Sequence, residues 1–190
     1  STVMALFDLV AVARSSLTST SPDALIQLGG NPGSTLTLGG TRTDPISPGT
    51  TAFGRLLFLQ SSAASGTAAS AASVSLAGPL LTSSNSTLTM TNDVISVQNG
   101  ATLSSTTSSA LIQLVNSSLT AGTPASNADV LEVFGTGGAG GTTLATVSLK
   151  GPLLTVASTL NVTGGLAGVF AGGKVSVTGS TDPFVKITGG

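Results

Sequence analysis

Short runs in which apolar residues alternate with Ser, Thr or Asn recur along the whole chain. Examples are STLTM at 86–90, LIQL at 111–114 and VSL at 147–149. Alternation with a period of two, bounded by Gly, Pro, Asn or Ser, is typical of β-strands that bury one face. Between residues 86 and 157 the pattern predicts strands at 86–90, 93–97, 101–104, 110–114, 117–120, 129–134, 146–149 and 152–156. No segment combines helical periodicity with capping residues, so the chain is predicted to be all-β.

Several motifs return at corresponding points of the chain. The sequence ALIQL occurs at 24–28 and 110–114, and GPLLT occurs at 78–82 and 151–155. A weaker pair aligns 51–59 with 127–135. Segments that begin Ser-Thr-apolar open at Ser1, Ser86 and Ser158. Together these motifs divide the chain into sequence repeats 1–85, 86–157 and a partial 158–190.

The two longer repeats differ in length at two places, both between strand motifs. One is 31–49 against 116–126, and the other is 61–73 against 135–146. Repeat proteins that form solenoids tolerate insertions in this way, because the extra residues fall in surface loops.

The repeats therefore predict a single continuous parallel β-solenoid over 1–190, with two or three strands per turn and about eight turns. Identical motifs in register can stack like on like, and Ser, Thr and Asn satisfy one another in such stacks. Tandem β-sandwich domains are the alternative all-β arrangement. In the solenoid, GPLLT at 78–82 and 151–155 should occupy equivalent positions on one face, as should ALIQL at 24–28 and 110–114.

The interior is predicted from the apolar members of these strands. The positions expected to line it include Leu25, Leu28, Leu76, Leu111, Leu114, Val147, Leu149, Val175 and Val177.

Composition narrows the chemistry. The 190 residues include 28 Ser, 29 Thr and 25 Gly, only 7% are charged, and the net charge is −1. The absence of His and Cys excludes disulfides, imidazole catalysis and metal sites built on those residues. A mean hydropathy of +0.48 with so few charges is not typical of a disordered chain. The most apolar stretch, 3–13, contains Asp8 and is shorter than the roughly 20 residues that a membrane-spanning helix needs.

The sequence motifs of the repeats resemble those of large bacterial surface proteins. The STL openings, the GPLLT motifs and turns such as NSSLTAG and VTGG are similar to the repeat regions of filamentous-haemagglutinin-like adhesins and autotransporter passengers. The resemblance implies a β-solenoid in an exported stalk or adhesive rod. It implies no active-site residues.

The seven acidic residues are the candidates for catalysis or metal binding. They are Asp8, Asp23, Asp44, Asp93, Asp129, Glu132 and Asp182. Asp23, Asp44 and Asp182 each adjoin a proline, which indicates turns.

The other four acidic residues also have structural interpretations. Asp8 and Asp93 precede the same strand motif and are expected to cap it. Asp129 and Glu132 are the only close acidic pair, and a spacing of three on a strand predicts that they point to opposite faces. No catalytic, cofactor or metal site is therefore predicted.

Two further motifs give no assignment from the sequence. Thr-x-Thr occurs at 35–37, 41–43, 87–89 and 89–91, and ladders of this motif can bind ice. Such a ladder needs one motif on every turn at constant spacing, and these spacings are irregular. The sequons at Asn85, Asn116 and Asn161 are expected by chance in a chain so rich in Ser and Thr.

The leading hypothesis is a non-enzymatic, extracellular or cell-surface structural protein that forms part of a rod, stalk or filament. An adhesin module that binds a glycan or receptor on its side is the alternative, and a carbohydrate-active β-helix enzyme is the second alternative. Uncovered strand edges and low charge predict self-association or continuation into a longer chain, without nucleic acid, cofactor or membrane span.

Overall fold

The structure is a computed structural model that describes residues 1–43, 50–61, 71–138 and 141–188. Its strands form a parallel β-solenoid. The first turn contains β1 (Thr2–Ala5), β2 (Val10–Ala13), β3 (Ser16–Ser19) and β4 (Ile26–Leu28). The second contains β5 (Thr35–Leu38), β6 (Gly40–Thr43), β7 (Thr50–Phe53), β8 (Leu57–Gln60), β9 (Ser73–Leu76) and β10 (Leu81–Ser84). The third contains β11 (Thr87–Met90), β12 (Ile95–Gln98), β13 (Thr102–Ser105) and the first part of β14 (Ile112–Ala121).

The long strand β14 continues into the fourth turn. That turn goes on through β15 (Leu131–Phe134), β16 (Thr136–Gly138), β17 (Gly141–Thr143), β18 (Ala145–Leu149) and the first part of β19 (Leu154–Val162). The fifth turn contains the rest of β19, β20 (Gly168–Phe170), β21 (Gly173–Val177) and β22 (Val185–Ile187).

Three parallel sheets run along the solenoid. The first is bent: its opening half stacks the strands that open each turn, β1, β5, β11 and the ends of β14 and β19. Its closing half stacks the strands that close each turn, β4, β10, the starts of β14 and β19, and β22. The second sheet is β2-β8-β12-β15-β20, and the third is β3-β9-β13-β18-β21. The predicted fold class, an all-β parallel solenoid, is confirmed.

The predicted number of turns is wrong. In the opening half Thr2 pairs with Thr35, Thr35 with Thr87, Thr87 with Ser118 and Ser118 with Thr159, which gives offsets of 33, 52, 31 and 41 residues. Five turns result instead of eight. Every strand predicted between residues 86 and 157 overlaps an observed one, but each turn uses four solenoid strands instead of two or three. The stack is consequently about 19 Å from first to last strand at the usual strand spacing.

The recurring motifs lie where the repeats predict. In the closing half, Ile26 of ALIQL pairs with Leu81 of GPLLT, which pairs with Ile112 and then Leu154. The two ALIQL motifs and the two GPLLT motifs therefore share one face, as predicted. The unexpected point is that the two motifs alternate at a single structural position. Each long sequence repeat is thus two turns.

Two turns open in the segments 31–49 and 116–126, where the two long repeats differ in length. Ser34 precedes β5, and Ser117 lies within β14 just before the strand residues of the next turn. The weaker motif pair was also aligned two residues out of register, because Leu57 and Leu131 both pair with Ile95. The inserted residues themselves form antiparallel hairpins between solenoid strands, β6–β7 in the second turn and β16–β17 in the fourth.

A single apolar core fills the interior. Of the predicted core positions, Leu76, Leu111, Leu114, Val147 and Leu149 are buried. Leu25, Leu28 and Val175 are partly buried and pack against the same core. The prediction that Val177 is buried is wrong, because its side chain is 36% exposed. Val177 lies in the fifth turn, and no described turn stacks beyond it.

Strands that enter the second sheet or the closing half of the first sheet begin with two consecutive inward side chains, whereas those of the third sheet keep strict alternation. The doublets that are both buried are Leu56–Leu57, Leu80–Leu81, Val94–Ile95, Leu111–Ile112, Val130–Leu131 and Leu153–Leu154. The first side chain fills the corner and the second begins the strand. At the bend of the first sheet, Asn85 and Asn116 have φ of 51° and 49°, a left-handed conformation that Asn tolerates better than most residues.

Candidate functional site

Four charged side chains of the solenoid stack in one column where the first four turns enter the second sheet. Val10, Leu57 and Ile95 are in register, so the residues two positions earlier, Asp8, Arg55 and Asp93, occupy one column. Asp8 Oδ1 accepts the backbone N–H groups of Gly54 at 3.0 Å and Arg55 at 2.9 Å. Each of these bonds joins one turn to the next.

The later turns repeat this arrangement. Asp93 Oδ1 accepts the N–H of Asp129 at 2.9 Å, and Asp129 Oδ1 accepts the N–H of Gly165. The carboxylates therefore cap backbone groups of the following turn at the corner, where the sheet ladder has no acceptor for them. Asp8 and Asp93 therefore cap the strand entry of the next turn, rather than the strand that each of them precedes.

Arg55 lies between two acids in the column. Its Nη1 is 3.7 Å from Asp8 Oδ2, and its Nε is 3.8 Å from Asp93 Oδ2. The residue is only 6% exposed, and its guanidinium lies 4.7 Å from the ring centroid of Phe58. An arginine between Asp8 and Asp93 replaces like-charge repulsion by attraction between those neighbouring turns.

Asp93 has a perturbed acidity. The pKa of Asp93 is raised to about 6, chiefly by burial. The Asp129 N–H and Arg55 lower it, and the nearby carboxylates of Glu132 and Asp129 contribute to raising it. A carboxyl group of this kind is often functional, but buried structural networks shift pKa values in the same way.

The predicted separation of Asp129 and Glu132 onto opposite faces is wrong. Val130 and Leu131 are both fully buried, so two consecutive side chains point inward at this corner. Asp129 and Glu132, on either side of them, therefore both lie on the outer side. Glu132 Oε2 accepts hydrogen bonds from Ser96 Oγ at 2.7 Å and from Gln98 Nε2 at 3.1 Å. The sequence alone predicted strict alternation, which fails at this corner because two consecutive side chains point inward.

The remaining acids are distributed elsewhere. The backbone N–H of Asp23 is bonded to Ser21 Oγ, and that of Asp182 to Ser180 Oγ, both at 3.1 Å in exposed turns. Asp44 lies outside the described residues. In the described part of the chain, no group of three or more acidic side chains is arranged to hold a metal ion.

A column of serines forms the second polar feature, at the bend of the first sheet. Ser34 N–H donates to Ser86 Oγ at 3.3 Å, Ser86 N–H to Ser117 Oγ at 3.2 Å, and Ser117 N–H to Ser158 Oγ at 2.7 Å. The hydroxyls donate in turn to backbone carbonyls, Ser86 to Ser84 at 2.8 Å and Ser117 to Val115 at 2.9 Å. This column explains the Ser that opens the third, fourth and fifth turns.

An open recess of about 640 Å³ lies over this bend. It is lined by Asn85, Ser86, Thr87, Asn116, Ser117, Ser118, Ala157, Ser158 and Thr159. Two of the three sequons thus have their Asn on the recess, and Asn161 lies on β19. Four recesses over the described residues have no lining from Asp93, Asp129 or Glu132.

Exposed aromatic side chains lie on the outer side of the second sheet. Phe134 and Phe170 pair in register and are 40% and 49% exposed. The Phe170 ring covers the Cα of Gly168, where an added Cβ would lie 2.7 Å from Cε2 and 2.2 Å from Asp129 Oδ2. This side of the last two turns therefore combines aromatic and carboxylate groups.

Comparison of the chain with protein-family models, with curated proteins and with solved structures returned no match. Over the described residues, no helix has the length and apolar character needed to cross a bilayer.

Proposed function

We propose that the chain is a non-enzymatic structural module of an extracellular or cell-surface solenoid rod, stalk or filament. The observation that carries the proposal is the use of its polar groups. Asp8, Asp93, Asp129 and the Ser86–Ser117 column all bond to the backbone of a neighbouring turn. Because these polar groups are occupied by hydrogen bonds between turns, they support a mechanical role better than a catalytic one.

The two ends of the solenoid support association with further solenoid. Val3, Val169 and Ile187 belong to inward-facing columns, yet they are 47%, 47% and 62% exposed because a neighbouring turn covers them on one side only. Strand edges that expose both backbone groups and core side chains pair readily with another chain. The proposed partner is a further solenoid turn, supplied by a longer polypeptide or by a second copy.

Concentration-dependent light scattering and electron microscopy on the purified chain test this proposal. The expected result is linear assemblies, with Ile187→Lys reducing the average mass because it places a charge on the open core. Val115→Lys is the matched control, since Val115 is 50% exposed on the side of a central turn. A parent chain that stays an 18.3 kDa monomer at high concentration would contradict the proposal.

A second candidate function is glycan binding on the side of the rod, favoured by the position of Phe170 and Glu132. Aromatic rings stack on sugar faces, and carboxylates accept hydrogen bonds from sugar hydroxyls. A glycan array tests it: Phe170→Ala should lose binding, and Val115→Ala, an equally exposed apolar residue on another face, should retain it. An array on which the parent chain binds no glycan excludes this function.

A further inference from the structure

The opening half of the first sheet presents a two-dimensional array of small hydroxyl side chains. Its outward positions form two columns, each with one residue per turn. The first column is Thr2, Thr35, Thr87, Ser118 and Thr159, and the second is Met4, Thr37, Thr89, Thr120 and Asn161. We call this surface the threonine face. In the three central turns it reads Thr-x-Thr, Thr-x-Thr and Ser-x-Thr.

The irregular spacing of these motifs in the sequence disappears in the fold. Thr35, Thr87 and Ser118 are 52 and 31 residues apart, yet they are consecutive in the stack. The β6–β7 hairpin leaves the sheet after β5 and does not alter the register of the face. Thr41–Thr43 lies in that hairpin, and Thr91 is used internally, since its Oγ1 donates to the carbonyl of Phe53 at 2.7 Å.

Most hydroxyls in the central turns of the threonine face are available for hydrogen bonds to a ligand. Among the described residues, those of Thr35, Thr37, Thr89 and Thr120 make no hydrogen bond to the protein, and Thr87 and Ser118 share one long contact of 3.4 Å. The serine column at the bend is different, because its hydroxyls are consumed by the backbone. No charged or aromatic side chain belongs to either column of the face.

The spacings of the face are fixed by the backbone. Residues at i and i+2 on one strand are about 6.7 Å apart, and neighbouring strands are about 4.8 Å apart. The β-branched Thr side chain has few χ1 states, which restricts the orientations of its hydroxyl and methyl groups. The result is a regular grid of donors, acceptors and methyl groups on an uncharged surface.

We propose that the threonine face binds ice. Its ligand must itself be a regular grid of hydrogen-bond donors and acceptors with similar repeats, and the oxygen positions on the surface of hexagonal ice have two repeats close to these. A single sugar or a phosphate would contact only one or two positions of the grid and would find no charge or aromatic ring there. This activity is independent of whether the chain forms a rod.

The third sheet offers a matched control surface. Its two outward columns also carry hydroxyls, but one of them contains Lys174 in register with Thr146. In the other, the hydroxyls of Ser104 and Ser176 donate to carbonyls of the previous turn at 3.3 and 3.4 Å. Thr102 is exposed on the same turn as Thr89. A lysine at either position faces solvent, so both variants are expected to fold.

Thermal hysteresis and partition of the labelled chain into a growing ice hemisphere test the proposal. The parent chain and Thr102→Lys should shape ice crystals and enter the ice, and Thr89→Lys should be excluded from it. Thr37→Lys provides a second disruption of the face, and circular dichroism checks that all variants fold alike. The proposal is overturned if the parent chain is rejected by ice, or if Thr102→Lys loses as much activity as Thr89→Lys.

Discussion

Removal of one hydroxyl from the serine column is the sharpest test of how the turns are held together. Ser117 is 3% exposed, and its Oγ accepts the N–H of Ser86 and a hydrogen bond from Ser83 Oγ at 3.1 Å. In Ser117→Ala both donors lose their acceptor. Ser86 and Ser83 are 4% and 3% exposed, so water does not replace it readily.

The size of the effect follows from the groups left without partners. A buried polar group that loses its hydrogen bond costs about 1–3 kcal/mol. The Ser86 amide has this full cost, whereas the Ser83 hydroxyl can rotate and contributes less. The carbonyl of Val115 keeps the N–H of Asn85 at 3.1 Å and adds little. The free energy of unfolding should therefore fall by about 2–4 kcal/mol.

Equilibrium unfolding in urea, followed by circular dichroism, measures this change. Ser105→Ala is the matched control, because Ser105 is also a buried inward serine, 6% exposed, but its Oγ has no hydrogen-bond partner. Its removal should leave the stability unchanged or raise it, since the cost of burying the hydroxyl disappears. Equal losses in the two variants would refute the argument that the serine column bonds the turns together.

Three further predictions concern charge and burial. Because the pKa of Asp93 rises from 3.8 to about 6 on folding, the folded chain binds its proton more tightly, so stability should fall as the pH rises from about 4 to 6. Urea unfolding across this range should show the fall in the parent and a flatter profile in Asp93→Asn. Arg55→Met leaves two buried carboxylates without their cation and should lower the free energy of unfolding by about 3–5 kcal/mol, whereas an unchanged midpoint would mean that the pairs at 3.7 and 3.8 Å contribute nothing. Leu111→Asp places a charge in the core at a residue 1% exposed and should abolish folding, and a variant that melts at the parent's temperature would contradict the core assignment.

The polar chemistry of the column at the second sheet was only partly accessible from the sequence. The Asp that begins DLV at 8–10 and DVI at 93–95 indicated a cap, because Asp8 and Asp93 stand at the same position relative to the strand. Arg55 was missed, since its role depends on being stacked between those two residues, and the alignment that would have revealed it was two residues out of register. The joint outward position of Asp129 and Glu132 depends on the corner doublet between them.

The sequence by itself determined the fold class and most of the strands. Alternating Val, Leu, Ile, Thr and Ser specify strand and face locally, and ALIQL and GPLLT place those strands at equivalent points because their own side chains define which side is buried. This information lies within four or five residues, so no tertiary contact is needed to extract it.

Only the tertiary structure decided how the strands are distributed among turns. Every turn presents the same core to a given column, so Ile26, Leu81, Ile112 and Leu154 are interchangeable there and need no sequence identity. Matching identical sequence motifs, such as ALIQL with ALIQL, therefore gives a repeat length of two turns. The hairpins hid the single turn further, because residues that leave the sheet change the spacing in sequence without changing the hydrogen-bonded register. For the same reason the threonine face, irregular along the chain, is regular in space.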